Sequence, residues 1–145
     1  VSPGGFFIYD STWPRESTLN RDDVTVLGVP LARLCNEHFD VARVRILMKN
    51  IAYVGVLCAL LDIDRAIVKQ LLEETFASKP KLIEPNLKAI MLGYDYAQEH
   101  FDCPLPIRVA PLDLTRDQIM IDGNTHTAET YIAPPSVIRV STLSI

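Results

Sequence analysis

Positive charge is scarce in this chain and is nowhere concentrated. Its 145 residues carry 14 Lys and Arg against 18 Asp and Glu, a net charge of −4, and no run of Lys or Arg exceeds two residues. Nucleic acids and anionic membranes are bound through clustered basic side chains, which this sequence does not supply. We therefore expect neither nucleic acid nor a membrane among its partners.

Cysteine and histidine are also few. Cys35, Cys58 and Cys103 are an odd number, lie far apart and form no C-x-x-C pair. This spacing fits neither a disulfide framework nor the common zinc and iron–sulfur patterns, and it favours a reducing cytoplasm as the compartment. No two of the three histidines lie at helical or turn spacing from each other, and a metal site would need ligands gathered from across the fold, so we predict no metal site.

Sequence motifs for the common chemistries are missing as well. The chain has no G-x-x-x-x-G-K-[ST] or G-x-G-x-x-G loop for phosphate and no G-x-S-x-G turn for a nucleophilic serine. Its first residues lack the basic and apolar segments of a signal peptide. We predict no catalytic residue and no signal peptide in this sequence.

Apolar residues are plentiful, at 48% of the chain, which is enough to build the core of one α/β domain. Short apolar runs predict strands over residues 6–9 and 24–29. Three- and four-residue periodicity predicts helices over 31–39, 44–61, about 65–76 and about 84–100. Asp62 and Asp64 are predicted to break the chain between the second and third helices and to cap the third.

The 44–61 segment is the most apolar part of the chain. Lys49 and Asn50 leave an uninterrupted apolar run only over 51–61, shorter than the about 20 residues that a membrane span needs. We therefore interpret it as a core helix that is covered on most sides. Gly55 costs a helix about 1 kcal/mol relative to Ala, so it predicts close packing against a neighbour at that turn.

Two polar groups are candidates for a site. Asp10, Ser11 and Thr12 directly follow an apolar strand, at the edge where open α/β sheets bind ligands; a capped turn is the alternative explanation. Lys49 and Asn50 interrupt the core helix, and a buried lysine and amide need partners. Those partners are either protein groups or a ligand.

Beyond residue 100 the pattern changes. Residues 103–116 are predicted to be a proline-punctuated linker, because proline lacks an N–H donor and restricts its neighbours. Residues 119–121 predict one short strand that ends at Asp122, Gly123 and Asn124. The last stretch, 131–145, has no periodicity that would pack it on the preceding residues.

Several segments, taken in order and spacing, resemble the gamma domain of 2-oxoacid:ferredoxin oxidoreductases, the family that acts on substrates such as 2-oxoglutarate and pyruvate. They are 3–11 (PGGFFIYDS), 29–31 (VPL), 49–64 (KNIAYVGVLCALLDID), 68–76 (VKQLLEETF) and 86–97 (NLKAIMLGYDYA). The similarity covers about residues 1–100. Residues 119–125 (IMIDGNT) resemble the start of the alpha chain in members whose gamma domain is fused to the alpha subunit.

This resemblance implies a partial three-layer α/β/α gamma-domain fold with a helix-rich C-terminal half and an extended C-terminal linker. It divides the chain into the C-terminal part of a gamma domain (1–102), a linker (103–116) and the start of the alpha-chain thiamine-pyrimidine domain (117–145). The family catalyses coenzyme A-dependent oxidative decarboxylation of a 2-oxoacid with thiamine diphosphate and iron–sulfur clusters, and passes the electrons to ferredoxin. The implied partners are the beta subunit and the remaining alpha portion, in an oligomer.

The expected contribution of the chain itself is gamma-domain packing and contact with coenzyme A. No cofactor is assigned to this chain alone, and the isolated chain is expected to be inactive. The residues expected at cofactor sites are Asp10, Ser11, Thr12, Lys49, Asn50, Gly123 and Asn124.

The resemblance also implies a piece of a longer protein, because the family's glycine-rich opening segment would precede Val1 and the alpha chain would continue past Thr127. With leading strands absent, part of the apolar face of the 44–61 helix should be uncovered. The alternative hypothesis is a non-enzymatic α/β binding or assembly module. An adjacent gene for a thiamine-binding beta subunit would favour the oxidoreductase.

Overall fold

A computed structural model describes residues 1–15, 19, 21–107 and 109, which belong to a compact unit of Val1–Val109. Its elements, in order, are β1 (Phe6–Asp10), β2 (Thr25–Val29), α1 (Leu31–His38), α2 (Ala42–Leu61), α3 (Arg65–Thr75), a 3₁₀ turn (Pro80–Leu82) and α4 (Ile83–His100). Each strand and helix predicted up to residue 100 is present within about two residues of its expected bounds. The predicted strand over 119–121, together with Gly123 and Asn124, lies outside the described residues.

The two strands form a parallel sheet. Its register pairs Phe6 with Thr25 and Asp10 with Val29, so both strands end at the same edge. Val29 is fully buried, and Phe6 and Ile8 pack against the same core as the helices. The predicted α/β class is confirmed, with the sheet contributing one face to a helical core.

The core centres on the crossing of α2 and α4. A Cβ atom built on Gly55 would overlap the carbonyl of Ile90, and one built on Gly93 would overlap the carbonyl of Ala52. The two backbones therefore touch, and only glycine allows it at these positions. The close packing predicted at Gly55 is confirmed. Gly93 is the partner that local periodicity could not reveal.

Helix α2 has two unlike sides. Seven of its residues are buried, which is typical of a core helix, whereas Ile46 and Leu47 are 69% and 56% exposed. An uncovered apolar face on this helix is therefore present, as expected.

Among the described residues α2 is the one helix long and apolar enough to cross a membrane, so the prediction that shortness excludes a span is wrong. Its packing against α4 at Gly55, not its length, supports the interpretation as a core helix.

The segment after α2 follows the predicted break and cap. Asp62 adopts a left-handed backbone with φ of 55° at the end of α2, a conformation that Asp tolerates better than most residues. The Asp64 carboxylate accepts a 2.8 Å hydrogen bond from the N–H of Ala66 and caps α3. Helix α3 itself has no buried residue. Even Ile67 and Leu71, on its predicted apolar face, are 53% and 55% exposed.

Residues beyond α4 return to the end of α2. The N–H of Leu105 donates to the carbonyl of Leu60 at 2.8 Å, and the N–H of Val109 donates to the carbonyl of Leu61 at 3.4 Å. The last carbonyls of a helix have no partner within it, so this segment supplies donors that they need. Leu105 is also buried in the core, and the described start of the predicted linker is thus packed on the helices.

We expect Gly93→Ala to destabilise the protein, because the added methyl group must displace the Ala52 carbonyl. Overpacking a core costs about 1–3 kcal/mol, occasionally more, and exceeds the about 1 kcal/mol that Ala gains over Gly in helix propensity. Urea denaturation of the full chain measures the free energy of unfolding. Asn50→Ala, at an exposed position of α2, is the control and should not lower it. A Gly93→Ala variant as stable as the wild type would contradict the backbone contact.

Candidate functional site

Asp10 and Thr12 join the carboxyl end of β1 to the first turn of α1. Asp10 Oδ1 accepts the backbone N–H groups of Thr12 at 3.1 Å and Ala32 at 3.4 Å. Thr12 Oγ1 accepts the N–H of Arg33 at 3.1 Å. The first N–H groups of a helix lack partners within it, so these oxygens cap α1. The capped turn, one of the two explanations open from the sequence, is therefore present.

Lys49 of α2 reaches the other oxygen of the same carboxylate. Its Nζ lies 3.7 Å from Asp10 Oδ2, and that oxygen is buried without a hydrogen bond. The separation is that of an ion pair and is too long for a hydrogen bond. The half-buried ammonium thus balances the charge of Asp10 while its three N–H donors make no hydrogen bond found in the described part of the chain.

Trp13 completes this cluster on its outer side. The Lys49 Nζ lies 5.9 Å from the centre of the Trp13 ring, within the range of a cation–π contact, and Trp13 is 60% exposed. Sequence reasoning did not select Trp13. The available signal was that the chain's single Trp directly follows Asp10, Ser11 and Thr12.

Ser11 directly follows the last residue of β1 and lies outside the cluster of Asp10, Thr12 and Lys49. It lines a cavity of about 490 Å³ together with Tyr9 and Gly28. A Cβ on Gly28 would lie 3.0 Å from Ser11 Cβ and 3.2 Å from Tyr9 Cε1, so this glycine leaves room for both side chains. The three residues predicted as one group therefore serve two different surfaces.

Asn50 does not share the environment of Lys49. It is exposed, because consecutive residues of a helix point about 100° apart, and the prediction of a buried amide is wrong. The structure thus brings Asp10, Thr12 and Lys49 together and leaves Ser11 and Asn50 outside the cluster.

The three cysteines are free, and Cys35 and Cys58 are buried. Burial raises the pKa of the Cys35 thiol, the charge of Asp10 raises it further, and Lys49 partly offsets both. Burial likewise raises the pKa of Cys58. Across residues 1–15, 19, 21–107 and 109, no His, Cys, Asp and Glu side chains form a group of three that could hold a metal.

A parallel sheet with polar side chains at its carboxyl end is the arrangement of ligand-binding α/β domains. Residues 1–96 match the family described as pyruvate ferredoxin/flavodoxin oxidoreductase. The chain belongs to this family, and the resemblance to 2-oxoacid:ferredoxin oxidoreductases is confirmed at that level.

Two curated relatives are both named ketoisovalerate oxidoreductase subunit VorA. The protein from Methanothermobacter thermautotrophicus is 30% identical over 104 residues and that from Methanothermobacter marburgensis is 29% identical over 104 residues. Each match covers 70% of this chain and 20% of the relative. The chain therefore spans about a fifth of the length of these relatives.

A solved structure shares the fold over most of the chain. It is 2-oxoglutarate:ferredoxin oxidoreductase from Magnetococcus marinus with 2-oxoglutarate, coenzyme A and succinyl-CoA bound. The similarity has a TM-score of 0.66 and 26% identity, and covers 86% of this chain and 21% of that chain. The match supports the α/β fold and the family together.

We expect the three thiols to react slowly in the native protein. A raised pKa lowers the thiolate fraction at pH 8, and the thiolate is the reactive form. With Ellman's reagent, Cys35 and Cys58 should react at least about tenfold more slowly than in denatured chain, since reaction requires local opening. Cys103 is less buried and should react first. Rates for Cys35 or Cys58 that equal those in denaturant would contradict their burial.

Proposed function

We propose that this chain is part of a subunit of a 2-oxoacid:ferredoxin oxidoreductase that catalyses coenzyme A-dependent oxidative decarboxylation of a 2-oxoacid. It corresponds to the gamma-domain region of a subunit in which that domain is fused to the alpha chain. The observation that carries the proposal is the structural match to 2-oxoglutarate:ferredoxin oxidoreductase over 86% of the chain. The family membership of residues 1–96 supports it independently.

Within this complex the chain contributes packing and contact with coenzyme A. Thiamine diphosphate and the iron–sulfur clusters are assigned to the rest of the complex. Ferredoxin is the proposed electron acceptor of the complex. The same proposal divides the chain into a gamma-domain part that ends at residue 102, a linker over 103–116 and the start of the alpha chain from residue 117. It also includes a cytoplasmic location, which three free cysteines support.

The coenzyme A contact is assigned to the cluster of Asp10, Thr12 and Lys49. Coenzyme A carries phosphate groups, and a lysine ammonium binds phosphate as a compact point charge. Lys49 is held 3.7 Å from Asp10 at the carboxyl end of the parallel strands, where ligands of open α/β sheets bind. The solved structure to which this chain is similar has coenzyme A bound.

Purification of an affinity-tagged chain from its native cells tests the proposed assembly. We expect a thiamine diphosphate-binding beta subunit and the remaining alpha portion to co-purify with it. The complex should reduce a dye acceptor with a 2-oxoacid and coenzyme A, whereas the chain alone should not. Recovery of the chain without any oxidoreductase subunit would instead favour a binding or assembly module.

Lys49→Met in the assembled enzyme should raise the KM for coenzyme A. Loss of a hydrogen bond to a charged group costs about 1.5–3 kcal/mol, which corresponds to about 10- to 100-fold in affinity. The kcat should change much less, because the lysine contacts the coenzyme away from the reacting atoms.

The matched control for this measurement is Lys69→Met. Lys69 is an exposed lysine of α3 that pairs with Glu73 at 3.8 Å, so the KM for coenzyme A should stay at the wild-type value. Thermal unfolding of both variants separates loss of stability from loss of binding. An unchanged KM in Lys49→Met would remove coenzyme A from this cluster.

A further inference from the structure

An exposed aromatic side chain, that of Trp13, lies beside the partly exposed ammonium of Lys49. Trp13 is 60% exposed, and Lys49 Nζ lies 5.9 Å from its ring centre. The side chain of Lys49 is 35% exposed, so ammonium and indole are both accessible from solvent. A ligand that meets one of them is within reach of the other.

The loop that carries Trp13 is fixed on the protein side. The N–H of Thr12 donates to Asp10 Oδ1, and Thr12 Oγ1 accepts from the N–H of Arg33. These bonds immediately precede Trp13 in the chain and anchor its backbone to α1. The indole is therefore presented from an anchored position, which reduces the ordering cost of binding.

The charges around the cluster leave the ammonium open to an anion. Asp10 is its counter-ion at 3.7 Å, but Oδ1 of that carboxylate is already occupied by backbone N–H groups. Lys49 makes no hydrogen bond to this carboxylate. A phosphate oxygen could therefore accept hydrogen bonds from the N–H groups of Lys49 without displacing any existing bond. The ion pair keeps the ammonium in place next to the ring.

We propose that Trp13 and Lys49 form a nucleotide clamp, in which a base stacks on the indole ring of Trp13 and a phosphate accepts hydrogen bonds from Lys49. Stacking of bases on aromatic side chains is favourable and tolerant of base identity, and lysine binds phosphate through charge. The chemistry selects a ligand with a planar base and phosphate groups. Resting on the proposed function, we assign the clamp to the adenine nucleotide end of coenzyme A.

Fluorescence of the full chain tests the clamp directly, because Trp13 is its single tryptophan. Excitation at about 295 nm selects Trp over Tyr, so stacking at this ring is read without labels. We expect saturable quenching by coenzyme A and by adenosine 3′,5′-bisphosphate, and none by pantetheine, which lacks base and phosphate. Absence of saturable quenching by both nucleotides would overturn the clamp.

Variants separate stacking from charge. By calorimetry, Trp13→Leu should weaken binding of adenosine 3′,5′-bisphosphate about tenfold or more, and Trp13→Phe should retain most of the affinity. Lys49→Met should weaken it about tenfold, whereas Lys69→Met should bind as the wild type does. Equal affinity for wild type, Trp13→Leu and Lys49→Met would place the nucleotide elsewhere and overturn the proposal.

Folding of the variants does not decide the outcome. Lys49→Met leaves Asp10 Oδ2 without its counter-ion, so a double variant with Asp10→Asn removes both charges and serves if the single variant unfolds. Trp13 is exposed, and its variants should keep the wild-type unfolding temperature. Co-purification with oxidoreductase subunits is measured separately, so the clamp and the proposed function fail on different results.

Discussion

The contact between the backbones of α2 and α4 at Gly55 and Gly93 determines much of the rest of the structure. With no Cβ atoms at these positions, each helix approaches the carbonyl groups of the other, and this fixes the rotation of α2 about its own axis. Lys49 lies on the same helix less than two turns before Gly55. The rotation that buries Gly55 against α4 therefore also directs Lys49 to Asp10 at the end of β1.

Parts of the surface away from this crossing are not covered by other residues of the described unit. Ile46 and Leu47 expose more than half of their area on α2, and a cavity lined by Tyr9 and Ser11 adjoins the sheet. Parallel sheets are usually covered on both faces. The uncovered apolar side chains of α2 fit a chain that spans about a fifth of the length of its relatives, and they support the proposal that this region functions within a larger assembly.

Local sequence pattern is sufficient to predict the helices and strands, but it does not predict which distant residues contact each other. Periodicity and capping residues located all four helices, and the low helix propensity of glycine marked Gly55 as a contact. Its partner Gly93 and the approach of Trp13 to Lys49 depend on residues more than 30 positions apart, which no local pattern specifies. Adjacency to Lys49 in the sequence does not place Asn50 in the same environment, because a helix turns each residue about 100° away from the previous one.

The hydrogen bonds of the cluster limit the chemistry that these residues can perform. Asp10 uses one oxygen to accept N–H groups and the other to pair with Lys49, and Thr12 uses its hydroxyl oxygen to cap α1. Burial raises the pKa of the neighbouring Cys35 thiol, which keeps it protonated and weakly nucleophilic. The groups still available to a ligand are an ammonium and an aromatic ring. Such groups bind and orient a molecule without forming a covalent bond to it, which agrees with the proposed contact with coenzyme A.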